Sequence, residues 1–536
     1  MSGDPSSSLT RTASGTWNPA TADDCLVPGL TVIYHPDLSR VGERTVLAGL
    51  DRGGAARLSR QTPDFAHPGS IGTSRPLEDP RLSRTAILFA GSEGRIVIDR
   101  GASRTRLEVV ETGTILRTVN TSFAVEIEGL GKGVILLLGG RVVLLLHLLD
   151  PVPPEATPAF GLIGESQALW RLRRDIVQTA DLDTPILLRG ESGTGKELVA
   201  RAIHQAGHRR RKPCIALNMA AVPPNLAAAE LFGATRGAYT GASQRRAGHF
   251  ARAHGGTLFL DEIGETPPEV QVLLLRALES GDIQPVGSEA TERVDVRVIS
   301  ATDADLESAI DAERFRAPLL HRLSGYVIRL PALRDRREDI GRLFVFFLRR
   351  ELEAVGALDR SRPRSRPWIP AALVARLAAW HWPGNVRQLA NVVRQLVIAN
   401  RGSDPASRFD EVEALFASTE PASVPTPRPD ASPVPAPSLG RRRPSDLREA
   451  EIVAALRTHR FRPSAAADAL GIPRSSIYDL IKKVSGLRKA ADLGLDEIKE
   501  ALDRVGPSLE SVAAYLEVSE SALRRRLREL DFPIPR

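Results

Sequence analysis

The chain has 536 residues, 42% of them apolar and 26% charged, with 72 Lys and Arg against 65 Asp and Glu for a formal net charge of +7. It is long and apolar enough to bury several cores, and the mild positive charge permits a polyanionic partner, so a soluble multidomain protein is expected. Two cysteines, Cys25 and Cys214, exclude a disulfide framework or a cysteine-rich zinc site and suit a reducing interior. Residues 1–25 open with MSGDPSSSLTRTASG, which lacks an apolar core and predicts a loose tail, not a secretory signal; a cytoplasmic setting follows. Residues 26–152 contain LTVIY, RIVID, TRLEVVE and FAVEIE, rich in Val, Ile and Thr and partly alternating, and predict a β-sandwich. Within them GVILLLGGRVVLLLHLL, Gly133 to Leu149, imitates a membrane span. Gly139, Gly140 and Arg141 interrupt it, and it falls short of the ~20 apolar residues a spanning helix needs, so two buried strands joined by a GGR turn are expected, with no membrane partner.

Residues 160–402 change pattern. PILLRG, KELVARAIHQA, TLFLDE, VQVLLLRALES and VRVISAT alternate apolar strands with helical stretches, which predicts a parallel sheet with helices on its faces to about residue 335, and only helical patterns follow it. Residues 403–444 include SVPTPRPDASPVPAPSLGRRRP, whose Pro, Ser and Ala predict a semi-rigid linker. The remainder repeats itself: Ile452, Leu456, Ala467, Leu470, Ile477 and Ile481 return 46 residues later as Ile498, Leu502, Ala513, Leu516, Leu523 and Leu527. Each copy, 445–486 and 490–536, reads as helix-turn-helix. The expected fold is therefore an N-terminal β-sandwich, a central α/β domain with a helical region after it, and an all-α C-terminal repeat.

GESGTGKE, Gly190 to Glu197, follows the strand PILLR and opens a helix, which is the setting GxxxxGK requires. The backbone of Gly190, Glu191, Ser192, Gly193, Thr194 and Gly195 can close around phosphates while Lys196 reaches the β and γ groups. Glu197 stands where a magnesium-binding Ser or Thr is usual. The competing reading is a glycine-rich turn with a stray lysine. GGTLFLDEIGE ends an apolar strand in Asp261 and Glu262, suited to holding Mg2+ and to orienting or deprotonating water; capping of the next helix is the alternative. ERFRAPLLHRL supplies Arg314, Arg316 and Arg322, cations for charge developing on a γ phosphate, or else solvated surface arginines.

From about Leu162 to Asn400 the chain resembles the central AAA+ domain of bacterial enhancer-binding proteins, the ATP-driven activators of sigma-54 RNA polymerase. The stretches that carry the resemblance are IGES, GESGTGKELVARAIH, LNMAA, ELFGATRGAYTGA, GGTLFLDEIGE, VRVISATDADL, FRAPLLHRL, LRDRREDI and WPGNVRQL. The resemblance implies ATP and Mg2+ as cofactors and the sigma-54 holoenzyme as partner. It implies that GAYTGA (Gly237, Ala238, Tyr239, Thr240, Gly241, Ala242) is a nucleotide-driven loop that grips the sigma factor, with Tyr239 in place of the family's Phe. Asn218 matches a switch that holds Glu262, and Thr302 with Asp303 the first sensor, where the family has Asn in place of Asp303. Arg316 and Arg322 match fingers donated across a subunit interface, hence a homo-oligomeric, hexameric ring; the resemblance also makes the helices after about residue 335 a helical lid on the α/β P-loop ATPase core, and Arg387 matches the second sensor in that lid.

AADALGIPRSSIYDLIKK resembles a Fis-type helix-turn-helix, which implies that Arg474, Ser475, Ser476, Tyr478, Lys482 and Lys483 bind enhancer DNA. The second copy offers Arg524, Arg525, Arg526 and Arg528 as a further reader, or serves as a dimerisation or packing unit. SRVGER, Ser39 to Arg44, and PLEDPRLSR, Pro76 to Arg84, resemble a divergent forkhead-associated (FHA) domain, implying that Arg44 and Ser83 bind phosphothreonine on a phosphoprotein or Ser/Thr kinase partner. Ala86 replaces the family's histidine and DRGASRTR lacks its Asn-Gly, so a sandwich used only for protein contact stands beside that reading. The expected function is ATP-dependent activation of sigma-54 transcription. The rivals are a DNA-binding regulator with an impaired ATPase or acting independently of sigma-54, and a chaperone-like AAA+ remodeller.

Overall fold

A computed structural model of the chain describes residues 26–417, apart from 71–72, 111–114, 152–156, 239–243 and 364–366, together with parts of 449–532. The chain divides into two units, Met1–Val424 and Pro425–Arg536.

The first unit begins with β1 (Val27–Tyr34), β2 (Arg44–Val46), β3 (Ala55–Leu58), β4 (Ile87–Ser92), β5 (Arg95–Asp99), β6 (Leu107–Val110), β7 (Leu116–Val119), β8 (Ser122–Glu126), β9 (Val134–Leu138) and β10 (Val142–Leu149). They form two antiparallel sheets, β2-β1-β10-β9-β6-β7 and β3-β4-β5-β8. Leu30, Val32, Leu136, Leu138, Leu144 and Leu146 of the larger sheet share a core with Phe89, Ile96 and Ile98 of the smaller one. The apolar run Gly133–Leu149 is the hairpin β9–β10, with Leu138 opposite Val142. Because side chains alternate across a strand, Ile135, Leu137, Val143 and Leu145 point the other way, and they too are buried. Covering both faces removes the need for polar residues, which is why the run reads as nearly continuous.

The α/β part contains α1 (Gln167–Thr179), β11 (Ile186–Arg189), α2 (Lys196–Ala206), β12 (Cys214–Asn218), α3 (Ala227–Phe232), β13 (Gly233–Ala234), β14 (Arg246–Ala247), α4 (His249–Arg252), β15 (Thr257–Asp261), α5 (Pro268–Ser280), β16 (Asp282–Ile283), β17 (Glu292–Arg293), β18 (Arg297–Thr302), α6 (Leu306–Asp311), α7 (Ala317–Leu323) and β19 (Tyr326–Arg329). Five strands form a parallel sheet in the order β12-β15-β18-β11-β19. Ile186 and Leu188 enter a core with α1 and α2, and Leu187 enters another with α3, α5 and α7. After β11 the chain crosses to the far edge at β12 and returns through β15 and β18, so a crevice opens at the carboxyl end of β11, the usual ligand site of such sheets.

The lid consists of α8 (Ile340–Ala354), α9 (Ala371–Ala379), α10 (Asn385–Ala399) and α11 (Asp410–Ala417). Two boundaries differ from the sequence reading. A linker starting at residue 403 is too early, because Val412 and Phe416 of α11 lie in the lid core, Phe416 meets Trp380 edge-on at 5.4 Å, and Arg376 pairs with Glu413. The break between residues 152 and 160 also fails to separate two cores. The outward row Ile33, Ile135, Leu137, Val143 and Leu145 lies in the same core as Phe344, Leu348, Leu373 and Leu377 of the lid. Close approach explains Gly341 within α8: a Cβ there would stand 2.2 Å from the Ile33 carbonyl oxygen. The Tyr34 hydroxyl donates to the Ile369 carbonyl at 2.8 Å across the same junction.

In the second unit, helices Glu449–Thr458 and Leu495–Val505 begin at equivalent positions of the two copies. Ile498, Ala513, Leu516, Leu523 and Leu527, positions the repeat singles out, share a core with Leu493 and Val512. Among the described residues no helix is long and apolar enough to cross a membrane.

Candidate active site

The carboxyl ends of the parallel strands gather the polar residues of a single cleft. Arg189 of β11 lies opposite Thr302 of β18, Asn218 of β12 lies opposite Asp261 of β15, and the Gly190 amide donates to the Thr302 carbonyl at 3.2 Å. From β11 the loop Gly190–Gly195 turns into α2, whose first residue is Lys196. Gly193 and Gly195 both have positive φ, which suits glycine, and a Cβ on Gly193 would lie 2.4 Å from the Gly384 carbonyl oxygen. Lys196 is only 7% exposed; its Nζ donates to the Gly190 carbonyl at 2.9 Å and lies 3.8 Å from Glu262 Oε1. The cleft measures about 490 Å3. Gly161, Leu162, Ile163, Phe346 and Phe347 line one end, while the 192–197 loop, Asp261, Glu262 and Arg387 line the other. An apolar slot beside a cationic glycine cradle has the size and the donor set for a nucleoside triphosphate.

Burial raises the Asp261 carboxyl above its usual range, against the Glu262 amide that donates to it at 3.1 Å and the nearby Lys196. Burial also raises Glu262; Lys196 opposes this, whereas Asp303 and Asp261 reinforce it and Asp303 shares a hydrogen bond with it. The sequence reading placed Asn218 on Glu262. Here its Nδ2 donates to Asp261 Oδ2 at 3.3 Å, because β12 and β15 pair in a register that sets Asn218 beside Asp261. Glu197 faces Arg201 one turn along α2 in a salt bridge. Thr302 Oγ1 accepts from the Ala304 amide at 3.0 Å.

The lid closes on this loop. Arg387 Nη1 donates to Ser192 Oγ at 3.3 Å, and the Val386 and Arg387 amides, free at the start of α10, both donate to the Gly193 carbonyl. Two residues that motif reasoning did not single out complete the clamp. Buried Asn385 donates to Glu191 at 3.1 Å and to the Ser192 carbonyl at 3.0 Å while accepting from the Leu333 amide, and Arg334 pairs with Glu191. Hydrogen bonds from Arg334 hold the Glu191 carboxyl below its usual range, against a smaller effect of burial. Asn385 has positive φ at 49°, and its position after Trp382-Pro383-Gly384 was the available signal.

Arg316 immediately precedes α7, with no side-chain capping bond, and Arg322 lies within the helix; neither lines the cleft. Arg322 Nε donates to the Leu278 carbonyl at 2.9 Å. The third residue that sequence reasoning missed is Gln271, 0% exposed on α5. Its Nε2 donates to the Thr266 and Arg314 carbonyls and its Oε1 accepts from the Arg316 amide, each at 2.9 Å. It ties the arginine segment to the loop that follows Glu262.

GAYTGA falls between the paired strands β13 and β14. Its base is held where Thr235 donates to the Val286 carbonyl from the neighbouring β16–β17 hairpin; Gly237 and Ala238 are described, whereas Tyr239, Thr240, Gly241 and Ala242 lie outside the described residues. Arg474, Ser475, Ser476, Tyr478, Lys482, Lys483, Arg524, Arg525 and Arg528 also lie outside them. Arg526 Nε donates to the Leu493 carbonyl at 3.1 Å, a contact inside its own copy.

Arg44 and Ser83 have separate partners. Arg44 donates to the Glu165 carbonyl and lies 5.4 Å over the Trp170 ring, while Ser83 Oγ accepts from the Thr85 amide at 3.0 Å. Among the described residues no hydrogen bond joins the two. The physical reason is packing: β2 lies along the junction with the α/β part, so its arginine finds an acceptor there.

Residues 162–329 match the family model described as the Sigma-54 interaction domain, and residues 334–423 match that of the AAA+ ATPase lid domain. The second range includes α11. Over 393 residues the chain is 37% identical to the DNA-binding transcriptional regulator NtrC of Azospirillum brasilense, covering 72% of this chain and 74% of that one. It is 40% identical over 333 residues to the transcriptional regulatory protein ZraR of Escherichia coli O157:H7, covering 62% of this chain and 70% of that one.

Proposed function

The chain belongs to the family of sigma-54-dependent transcriptional activators that includes NtrC and ZraR, and from that premise we propose how its own residues carry the cycle. It is an ATPase with a sigma-54 interaction domain. The observation that carries the reading is the convergence of Lys196, Asp261, Glu262 and Arg387 on one cleft at the strand ends. Lys196 and the amides of Gly193 to Gly195 bind the β and γ phosphates, and the apolar end around Leu162 and Ile163 takes the base. Asp261, beside Asn218, would hold Mg2+, which would supply neutralisation of phosphate charge there, while Glu197 is paired with Arg201. Glu262 orients the attacking water and takes its proton, and a carboxyl raised by burial is a stronger base for that step.

Thr302 and Asp303 sense the γ phosphate, and Arg387 reports it to the lid. Arg316 and Arg322 serve a neighbouring subunit's cleft in a homo-oligomeric ring, with Gln271 setting the pose of the segment that bears Arg316. GAYTGA engages sigma-54 polymerase, and the C-terminal repeat binds enhancer DNA through Arg474, Ser475, Ser476, Tyr478, Lys482 and Lys483 of the first copy. We read the FHA-like sandwich as a contact module, since Arg44 is engaged within the chain. The test uses the full chain with sigma-54 polymerase on a supercoiled promoter. Thr240→Ala is expected to keep ATP turnover and to lose open-complex formation; equal loss of both would overturn the loop's role.

A further inference from the structure

One end of the cleft is made by a short segment, Gly161 to Ile163, which runs straight into Gly164–Ser166 before α1 begins. This segment has no ladder of its own and is held in place by side chains. From α1, Arg173 Nη2 donates to the Leu162 and Gly164 carbonyls at 2.7 and 2.8 Å, and Trp170 Nε1 donates to the Glu165 carboxylate at 2.7 Å. From the base of the lid, buried Asp339 accepts from the Glu165 and Ser166 amides at 2.6 and 3.0 Å, and Arg342 approaches the Glu165 carboxylate at 3.8 Å. The third hold comes from the sandwich: Arg44 donates to the Glu165 carbonyl with its guanidinium over the Trp170 ring. The backbone behind Arg44 is fixed, because β2 pairs with β1 on one side and Arg44 exchanges two hydrogen bonds with Ala66 on the other. Arg342 extends the link, reaching the Gly42 carbonyl at 3.4 Å and His67 Nδ1 at 3.2 Å.

We propose that Arg44 is a positioning residue for nucleotide binding, fixing from the sandwich the segment that walls one end of the cleft. This deepens the ATPase reading and rests on it. A rigid element that pre-sets a binding wall raises affinity by lowering the ordering cost, and it need not touch the ligand. The effect should therefore fall on binding, since the groups around the phosphates are held independently by the lid clamp at Asn385, Arg334 and Arg387. Linkage runs both ways: nucleotide in the cleft tightens the hold on the sandwich, and whatever draws Arg44 away weakens nucleotide binding by the same factor.

The experiment titrates a fluorescent ATP analogue into the full-length protein and its variants, with turnover measured at saturating ATP. Arg44→Ala is expected to raise Kd about tenfold, the scale of one hydrogen bond to a charged group, with kcat within about twofold of the parent. Arg44→Lys, which can still donate to the carbonyl and face the ring, should recover most of the affinity. Trp170→Leu should weaken binding in the same direction, and its combination with Arg44→Ala should be less than additive, because the two side chains hold the same segment. Tyr34→Phe removes a sandwich–lid hydrogen bond away from the segment and should leave Kd unchanged. Unaltered nucleotide affinity in Arg44→Ala, a kcat loss at constant Kd, or an equal Kd shift in Tyr34→Phe overturns the proposal. Failure of the parent protein to bind nucleotide would instead overturn the ATPase reading itself.

Discussion

In the parallel sheet Leu187 points into one core and Ile186 and Leu188 into another, and the helices that cover both faces come from the stretch of chain that supplies the strands. In the larger sandwich sheet Leu136, Leu144 and Leu146 close against the smaller sheet, but Ile135, Leu137, Val143 and Leu145 depend on lid helices from the far end of the unit. The first sheet is complete within its own domain; the second is complete only when docked. An apolar face of that kind, left bare, is a liability in water. The sandwich and the lid therefore belong to one folding unit, although nearly all of the α/β part lies between them in sequence.

The largest expected effect separates chemistry from packing. Lys196→Ala should lower ATP turnover at least ~100-fold by removing a cation aimed at transferring phosphate, while thermal melting stays near that of the parent. A large melting shift would show that this buried lysine holds the cleft together as well. Next comes a matched pair of truncations. Leu145→Ala at the docked face and Leu187→Ala in the parallel sheet should each destabilise by ~2–5 kcal/mol in denaturant unfolding. A much smaller loss at Leu145 would show that the docked face is looser than the self-contained one.

Acid sharpens the contrast further. His147 lies on the docked side of β10, with its Nε2 2.7 Å from Thr31 Oγ1, and burial lowers its pKa from the usual 6.5 to about 3, with Arg44 adding to the shift and Asp339 opposing it. The folded chain keeps this imidazole neutral, whereas the unfolded chain protonates it below 6.5. Its contribution is thus full above about pH 6.5 and is lost as pH falls towards 3, the loss reaching about 2 kcal/mol at pH 5. Melting against pH for the parent and for His147→Gln checks this, since the variant should lack that part of the slope. The smallest effect is expected at Gly341→Ala. Better helix propensity contributes up to ~1 kcal/mol, but crowding against the Ile33 carbonyl costs ~1–3 kcal/mol, so a net loss of ~1 kcal/mol is expected. A gain in stability would mean that the sandwich and α8 separate easily.

Much of the nucleotide cleft was legible in the sequence because phosphate chemistry makes its demands on neighbouring residues. Glycines before Lys196 and two acids ending an apolar strand are contiguous and can be read without a fold. Asn385, Arg334 and Gln271 were not legible as parts of the machinery. Each works by joining backbone groups from separate elements, and a buried amide or guanidinium in sequence does not say which carbonyls it will meet. Arg44 shows the same limit from the other side: the resemblance offered it as a phosphothreonine-binding cation, whereas here it donates to a backbone carbonyl ahead of α1, a partner that no sequence motif names.

By itself the sequence determined the strands, the phosphate loop and the repeated C-terminal unit, since period, glycine placement and contiguous motifs are local properties of a chain. Only the tertiary structure decided that the outward row of β1, β9 and β10 lies under the lid and that Arg44 meets the Glu165 carbonyl, two residues beyond the cleft lining. Hydrophobic burial has no direction and apolar residues carry no address, so the row could announce that it needed covering but not by what.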